Sequence, residues 1–511
     1  MVLSSINFVP TDIFYVVLEH LTDRRDLYAA ALTSRDFNRA ATPLLYRTLD
    51  TDTPDRLWDH RTTSHVIHPA YSLLRRPELA RHVRHVRETG VLHATYPAVT
   101  GAVLKALFLC ENLYSFTWVD DTSALPTVFL SFLKILRDLP LRALTLRTKS
   151  DLGEDAWAFL NTIPNLQKMA IWCGDGPPRV LQGWAPLLGS TLTELELGRC
   201  AGVPETILIA VLSQLSRLRD LRLRGAPSRA ITDILTSLPA LVALDTEYLR
   251  PCPLRPLDRD APLPLLRRLT VRTSSVDLQG PAQLWSWICA LTPRPSLESF
   301  TLNAFSTAGQ TNIPRGFLLS LARRHADTLR QFLVNMTQLT LEDVQCVCEL
   351  FPHLEELSCA VASHDAESIG RAIEKAHNLR SLKLHVYWIP MTADPADPAD
   401  PQFSNLAVSS PALHSPNSPI ARFGLADAEA LMRRPGSRLS TISMGPHVFR
   451  GSWVQKQHID GSVRLYFEVV EDGLMGGQKF VSRGNEPGGS PIHRSLRPFI
   501  GQVQACIGRV F

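Results

Sequence analysis

The chain has 511 residues, 45% hydrophobic and 20% charged, a balance that fits several domains or one long repeat array and not a disordered chain. Lys and Arg total 53 against 49 Asp and Glu, a net charge of +4, so composition calls for neither a nucleic acid nor an acidic membrane as partner. No run approaches the roughly 18 apolar residues of a membrane span, and Asp12 and Glu19 break the first apolar stretch, against a secretory signal. The nine cysteines, odd in number and set among apolar residues, read as buried thiols of a reducing, cytoplasmic or nuclear compartment.

From Val9 to Leu49 three short helices are predicted. Thr11–Leu21 enters after Pro10, a favoured helix-entry residue, and Asp26–Leu32 follows a charged turn. Arg35–Tyr46 starts behind Ser34, a candidate N-cap, and Pro43 is expected to bend or interrupt its last turn. The first helix carries Ile13, Phe14, Val16, Val17, Leu18 and Leu21, more apolar surface than one face of a helical hairpin hides. A module of about forty residues is also at the limit of independent folding. The surplus face asks for a partner, either the adjoining chain or another protein.

The run from Phe8 to Phe14, then Val17, Leu18, Leu21, Asp26, Leu27 and Ala31–Phe37, resembles the F-box motif. Val9 stands where that family usually has Leu, and Phe37 where it has Trp; both keep the shape apolar. The run Leu45–Leu49 looks like the exit of fungal members. The resemblance covers residues 8–49 and implies docking to a Skp-type linker protein, which bridges to a cullin–RING ubiquitin ligase. It assigns Pro10, Ile13, Val17, Leu18, Leu21, Leu27, Leu32 and Phe37 to docking or its support, without separating contact from core. The competing reading makes these helices a cap on the open end of a non-ligase scaffold.

Downstream, a Leu-x-x-Leu-x-Leu pattern recurs ten times, first as Leu141, Leu144, Leu146 and last as Leu379, Leu382, Leu384. Successive copies lie 23 to 32 residues apart, most of them 25 or 26, the period of leucine-rich repeats. Weaker copies stand at Val83 and Val86, and at Leu113, Phe116 and Trp118. Segments of helical texture precede the copies, as in Glu367–Ala376, where Ile369, Ala372, Ile373 and Ala376 share one face. Prolines 140, 164, 239, 264 and 352 stop the chain just before the strands. The expected fold class is α/β: a leucine-rich-repeat solenoid over 75–390, concave parallel sheet and convex helices, behind the three-helix module. Such an order of F-box and repeats is itself a known family architecture.

Strand alternation points the second and third pattern residues inward and their neighbours to the concave face. The candidate target-binding stripe is Arg147, Trp172, Glu196, Arg222, Arg224, Asp245, Glu247 and Arg272, continuing to Ser358, Ala360, Lys383 and His385. Its mixed signs suit a protein target and not a sugar-phosphate backbone. Trp172 is either an exposed anchor or a ring partly covered by neighbouring strands.

No phosphate-binding, dinucleotide, nucleophile-elbow or zinc-protease motif is present, so no enzyme activity, cofactor or metal is expected. Cys346 and Cys348, near His353 and Cys359, point about 200° apart on a helix and make a poor metal clamp. Beyond Trp388 the Pro-, Ser- and Asp-rich stretch 391–420 reads as a flexible linker. A helix at Leu425–Arg433 and strands at Leu439–Met444 and Val463–Val470 read as a cap or last repeat over 421–470, with a disordered tail over 471–511. The expected partners are a Skp-type linker, its cullin–RING ligase and one target protein.

Overall fold

The computed structural model describes residues 11–21, 23–50, 68–120, 126–174, 183–249, 263–273, 281–304, 313–363, 365–386, 423–457 and 462–472. Pro10, Cys252, Cys506, the expected linker 391–420 and all of the expected tail except Glu471 and Asp472 lie outside the described residues.

Three helices open the chain: α1 (Thr11–Glu19), α2 (Arg24–Ala31) and α3 (Arg35–Arg47). Asp23 caps α2 by accepting from the Arg25 amide at 2.8 Å, and Ser34 caps α3 by accepting from the Phe37 amide at 3.2 Å, so two otherwise orphaned donors are satisfied. Of the bend or interruption expected at Pro43, the interruption does not occur; α3 continues to Arg47. Leu44 and Leu45 pack on the module core and Tyr46 on the repeat core, which holds the last turn in register despite the missing amide. Leu18, Leu27, Ala31, Ala40 and Ala41 are buried together, separately from the repeat core.

Arg47 leads without a break into a strand that the sequence did not reveal, β1 (Thr48–Asp50). It is the first of sixteen among the described residues, in a single sheet whose spatial order is the chain order. The others are β2 (His85–Thr89), β3 (Ser115–Asp120), β4 (Ala143–Thr148), β5 (Lys168–Cys173), β6 (Glu194–Leu197), β7 (Asp220–Leu223) and β8 (Ala243–Glu247). Then come β9 (Arg268–Thr273), β10 (Ser299–Ala304), β11 (Gln331–Gln338), β12 (Glu356–Val361), β13 (Ser381–Val386), β14 (Thr441–Met444), β15 (His447–Gln457) and β16 (Val463–Asp472).

Pairing is parallel from β1 to β14, with helices between most strands. The register aligns one apolar residue per strand. Leu49 faces Val86, then come Phe116, Leu144, Met169, Leu195 and Leu221. The line continues through Leu244, Leu269, Phe300, Phe332, Leu357, Leu382 and Ile442. All are buried in one continuous core. No repeat could bury its leucines alone; stacking removes both faces from water.

Two other departures concern the far end. The register of β11 shifts between Leu333 and Gln338, so Gln338 pairs with Ala360. Ser358 and Ala360, expected on the open concave face, are buried, Ser358 with its hydroxyl donating to Asn335 Oδ1 at 3.1 Å and Ala360 beside Gln338. The helix Leu425–Met432 and β14 form a further parallel unit, after which β15, unforeseen, and β16 turn back as an antiparallel hairpin.

Behind β2 the Glu88 carboxylate is buried, its oxygens 3.2 Å from His93 Nε2 and 3.6 Å from His68 Nε2. His68 Nδ1 accepts from the Ala70 amide at 3.1 Å, which leaves its ring proton on Nε2, toward Glu88. Burial alone would raise the Glu88 pKa, but the two adjacent imidazoles, His93 in hydrogen-bond contact and His68 at 3.6 Å, prevail and hold it below the usual 4.5. A depressed carboxylate stabilises the fold above its ordinary pKa, and that contribution is lost as pH falls through the depressed value. Glu88→Ala is expected to lower stability by about 3 kcal/mol at pH 7, with a smaller deficit at pH 3.5, read from urea unfolding midpoints.

Candidate functional site

Helix α1 is apolar on two sides. Phe14, Leu18 and Leu21, spaced four and three apart, turn inward against Leu27, Ala31 and Phe37, with the Phe14 and Phe37 ring centroids 4.7 Å apart. Ile13, Val16 and Val17 form the opposite face and stand 51%, 55% and 56% exposed. Tyr28 of α2 and Leu32 at its end are 60% and 69% exposed. The structure thus divides the eight assigned residues. Leu18 and Leu27 are core, Leu21 and Phe37 support it, and Ile13, Val17 and Leu32 face solvent. Pro10 lies outside the described residues. Val16 and Tyr28 went unassigned in sequence, although the three-residue step from Ile13 to Val16 places Val16 on the outer face.

The second surface lies on the concave face of β4 to β9. Strand register sets Arg147 beside Trp172, Glu196 beside Arg222, Arg222 beside Asp245, and Glu247 beside Arg272. Trp172 is half-buried; its indole N–H donates to Glu196 Oε1 at 2.6 Å. Its ring covers Gly198, where a β-carbon would lie 2.2 Å from the indole, and Arg224 approaches its face at 6.0 Å. Asp245 receives two bonds from Arg224 at 2.7 and 2.8 Å and two from Arg272 at 3.2 and 3.1 Å. Glu247 accepts the Gly225 amide at 2.9 Å, and Arg222 bonds Asp220 at 3.2 Å.

Trp172 lies on the concave face and is partly covered there. Arg224 and Arg272 are not simply solvated, since they share one carboxylate. Burial works against the Asp245 charge, but the two guanidinium groups outweigh it and hold its pKa below the usual 3.8. Arg147 stands exposed at one end of this braced network.

Among the described residues no group of three His, Cys, Asp or Glu side chains can hold a metal. Cys346, Cys348 and Cys359 are buried free thiols; burial pushes the Cys348 thiol up to about 12 and that of Cys359 up as well, far from the reactive thiolate. No described helix is long and apolar enough to cross a membrane.

Residues 6–52, which span the three helices and β1, match the F-box-like family model. The N-terminal module is an F-box-like domain. Behind it stands a leucine-rich-repeat solenoid. Among solved structures the chain is similar to one in the crystal structure of the Rad7 and Elc1 complex in yeast. That likeness has a TM-score of 0.40 and 13% identity, covering 74% of this chain and 96% of the other. A leucine-rich-repeat protein of Leptospira interrogans is similar at TM-score 0.26 and 12% identity, over 60% of this chain and 85% of its own. No curated protein matches the sequence.

Asp245→Asn removes the charge that two half-buried arginines share. Its expected cost is about 1–3 kcal/mol in urea unfolding, with a loss of near-ultraviolet dichroism from the Trp172 environment.

Proposed function

We propose that this protein is a substrate-recognition adaptor of a Skp–cullin–F-box ubiquitin ligase, with the F-box-like helices docking the linker protein and the concave stripe holding a target. The observation that supports this most is the apolar surface that α1 and α2 leave in solvent: Ile13, Val16, Val17, Tyr28 and Leu32 are exposed on a module whose own core forms without them. An apolar face at this density on a forty-residue unit is what a partner helix would cover.

On this reading the chain works by proximity. One end fastens to the ligase, the repeats hold the target, and the effective concentration of target near the transferred ubiquitin rises. Target contact centres on Arg147 and Trp172, bounded by Glu196, Arg222, Arg224, Asp245, Glu247 and Arg272. A braced aromatic beside a free arginine has the composition of an interface anchor. The competing scaffold reading keeps the same solenoid but gives the outer face of α1 no partner.

The test is binding of a purified Skp-type linker to the intact chain and to Ile13→Asp with Val17→Asp. Both side chains are exposed, so the double variant is expected to melt within about 2 °C of the parent, in keeping with the roughly 0.5 kcal/mol that surface substitutions cost, and to bind at least 100-fold more weakly. Leu18→Asp is not a usable substitute, because Leu18 lies in the module core. Absence of linker binding by the intact chain favours the scaffold.

A further inference from the structure

From β2 to β14 each strand is preceded by a rim residue whose amide bonds the carbonyl of the rim residue before it. The line runs Arg47, Arg84, Tyr114, Arg142, Gln167 and Thr193, then on through Arg219 and Arg267 to Arg330 and Arg380. Late in this line arginine and glutamate alternate and pair: Arg267 with Glu298 at 3.4 Å, and Arg330 with Glu355 at 2.5 Å. At its start they do not. There a groove of about 760 Å³ opens between α1 and α3 on one side and the first rim positions on the other.

Arg47, Arg81, Arg84 and Arg142 all line this groove. Arg47 pairs with Glu19 at 3.0 Å. Arg84 donates to the Asn112 carbonyl at 3.0 Å, Arg142 to that of Asn165 at 3.4 Å, and Arg81 to the ring of His82 at 3.3 Å, so these bonds neutralise no charge. His82 and His85 line the same groove, their pKa values lowered first by burial and then by the neighbouring arginines. Among the described residues the groove lining carries four guanidinium groups and no carboxylate; Glu19 pairs with Arg47, and Glu78, paired with Arg76, also attracts Arg81, so positive charge stays in excess in a partly enclosed space where the field is focused. The volume lies within the usual range of small-ligand sites, and planar guanidinium forks match phosphate oxygens.

We propose that this seam between the F-box-like domain and the repeats binds a phosphate-bearing small molecule of several negative charges, which fastens the two units together. Its anion would bridge arginines from α3 and from the first repeats, converting mutual repulsion into shared contacts. The proposal does not depend on the adaptor reading, since a scaffold could carry the same site.

Sodium tripolyphosphate is the probe, titrated calorimetrically into the intact chain in 50 mM salt, with orthophosphate and a poly-glutamate peptide in parallel. Tripolyphosphate is expected to bind, to raise the melting temperature, and to outdo orthophosphate at least tenfold. Arg81→Gln with Arg142→Gln should weaken it tenfold or more, while Arg219→Gln, on the same rim but outside the groove, should leave it unchanged. Circular dichroism melts of both variants without ligand verify folding; if the double variant unfolds, Arg81→Gln alone is expected to weaken the probe at least threefold. No binding by the intact chain, equal loss in Arg219→Gln, or binding of poly-glutamate in preference to tripolyphosphate would each overturn the proposal.

Discussion

The structure depends on a single line of apolar contacts running across the strands. From Leu49 to Ile442 every parallel strand contributes one buried side chain to the same row, and each covers its neighbour. Because a repeat contacts chiefly the units on either side, stability is spread along the row and not concentrated in one centre. A large-to-small change in the middle, as at Phe332, strips packing from two interfaces at once. The ends have one neighbour each, and both are closed by something other than a repeat: the exit of α3 at β1 and an antiparallel hairpin after β14.

That row was legible in the sequence because it rests on local regularity. A leucine every two or three residues, repeated at nearly constant spacing, reports strand alternation and stacking together. Helix entry was legible at Ser34 for the same reason: a cap is a short-range hydrogen bond. What escaped notice was non-local. Thr48–Asp50 is a strand only because β2 lies beside it, and the chain leading to it reads as a helix end. The burial of Ser358 against Asn335 and of Ala360 beside Gln338 leaves no composition signal. In β15 the apolar residues are too sparse for an alternation to show, and pairing with β16 supplies its order.

The candidate surfaces were legible to a different extent. Alternation placed Arg147, Trp172, Glu196 and their neighbours on the concave side, which is a matter of parity along a strand. It could not say that Arg224 and Arg272 would converge on Asp245, because that depends on which strands adjoin and at what offset. On α1 the residue types announced too much apolar surface, and only the position of α3 decides that Leu18 turns in while Val17 turns out. Helical geometry supplies the faces; packing chooses between them.

The strand β1 has one further meaning. Since the helical module enters the sheet through main-chain hydrogen bonds and not through a loose tether, its orientation is tied to that of the first repeat. The solenoid then acts as a graduated ruler. Trp172 on β5 and Arg272 on β9 stand four and eight strands from β1, which at about 4.8 Å per strand is at most roughly 20 and 40 Å. Whatever rests on the concave face is held at a distance measured in repeats, so that adding or deleting one unit changes the reach by a fixed step without altering either end.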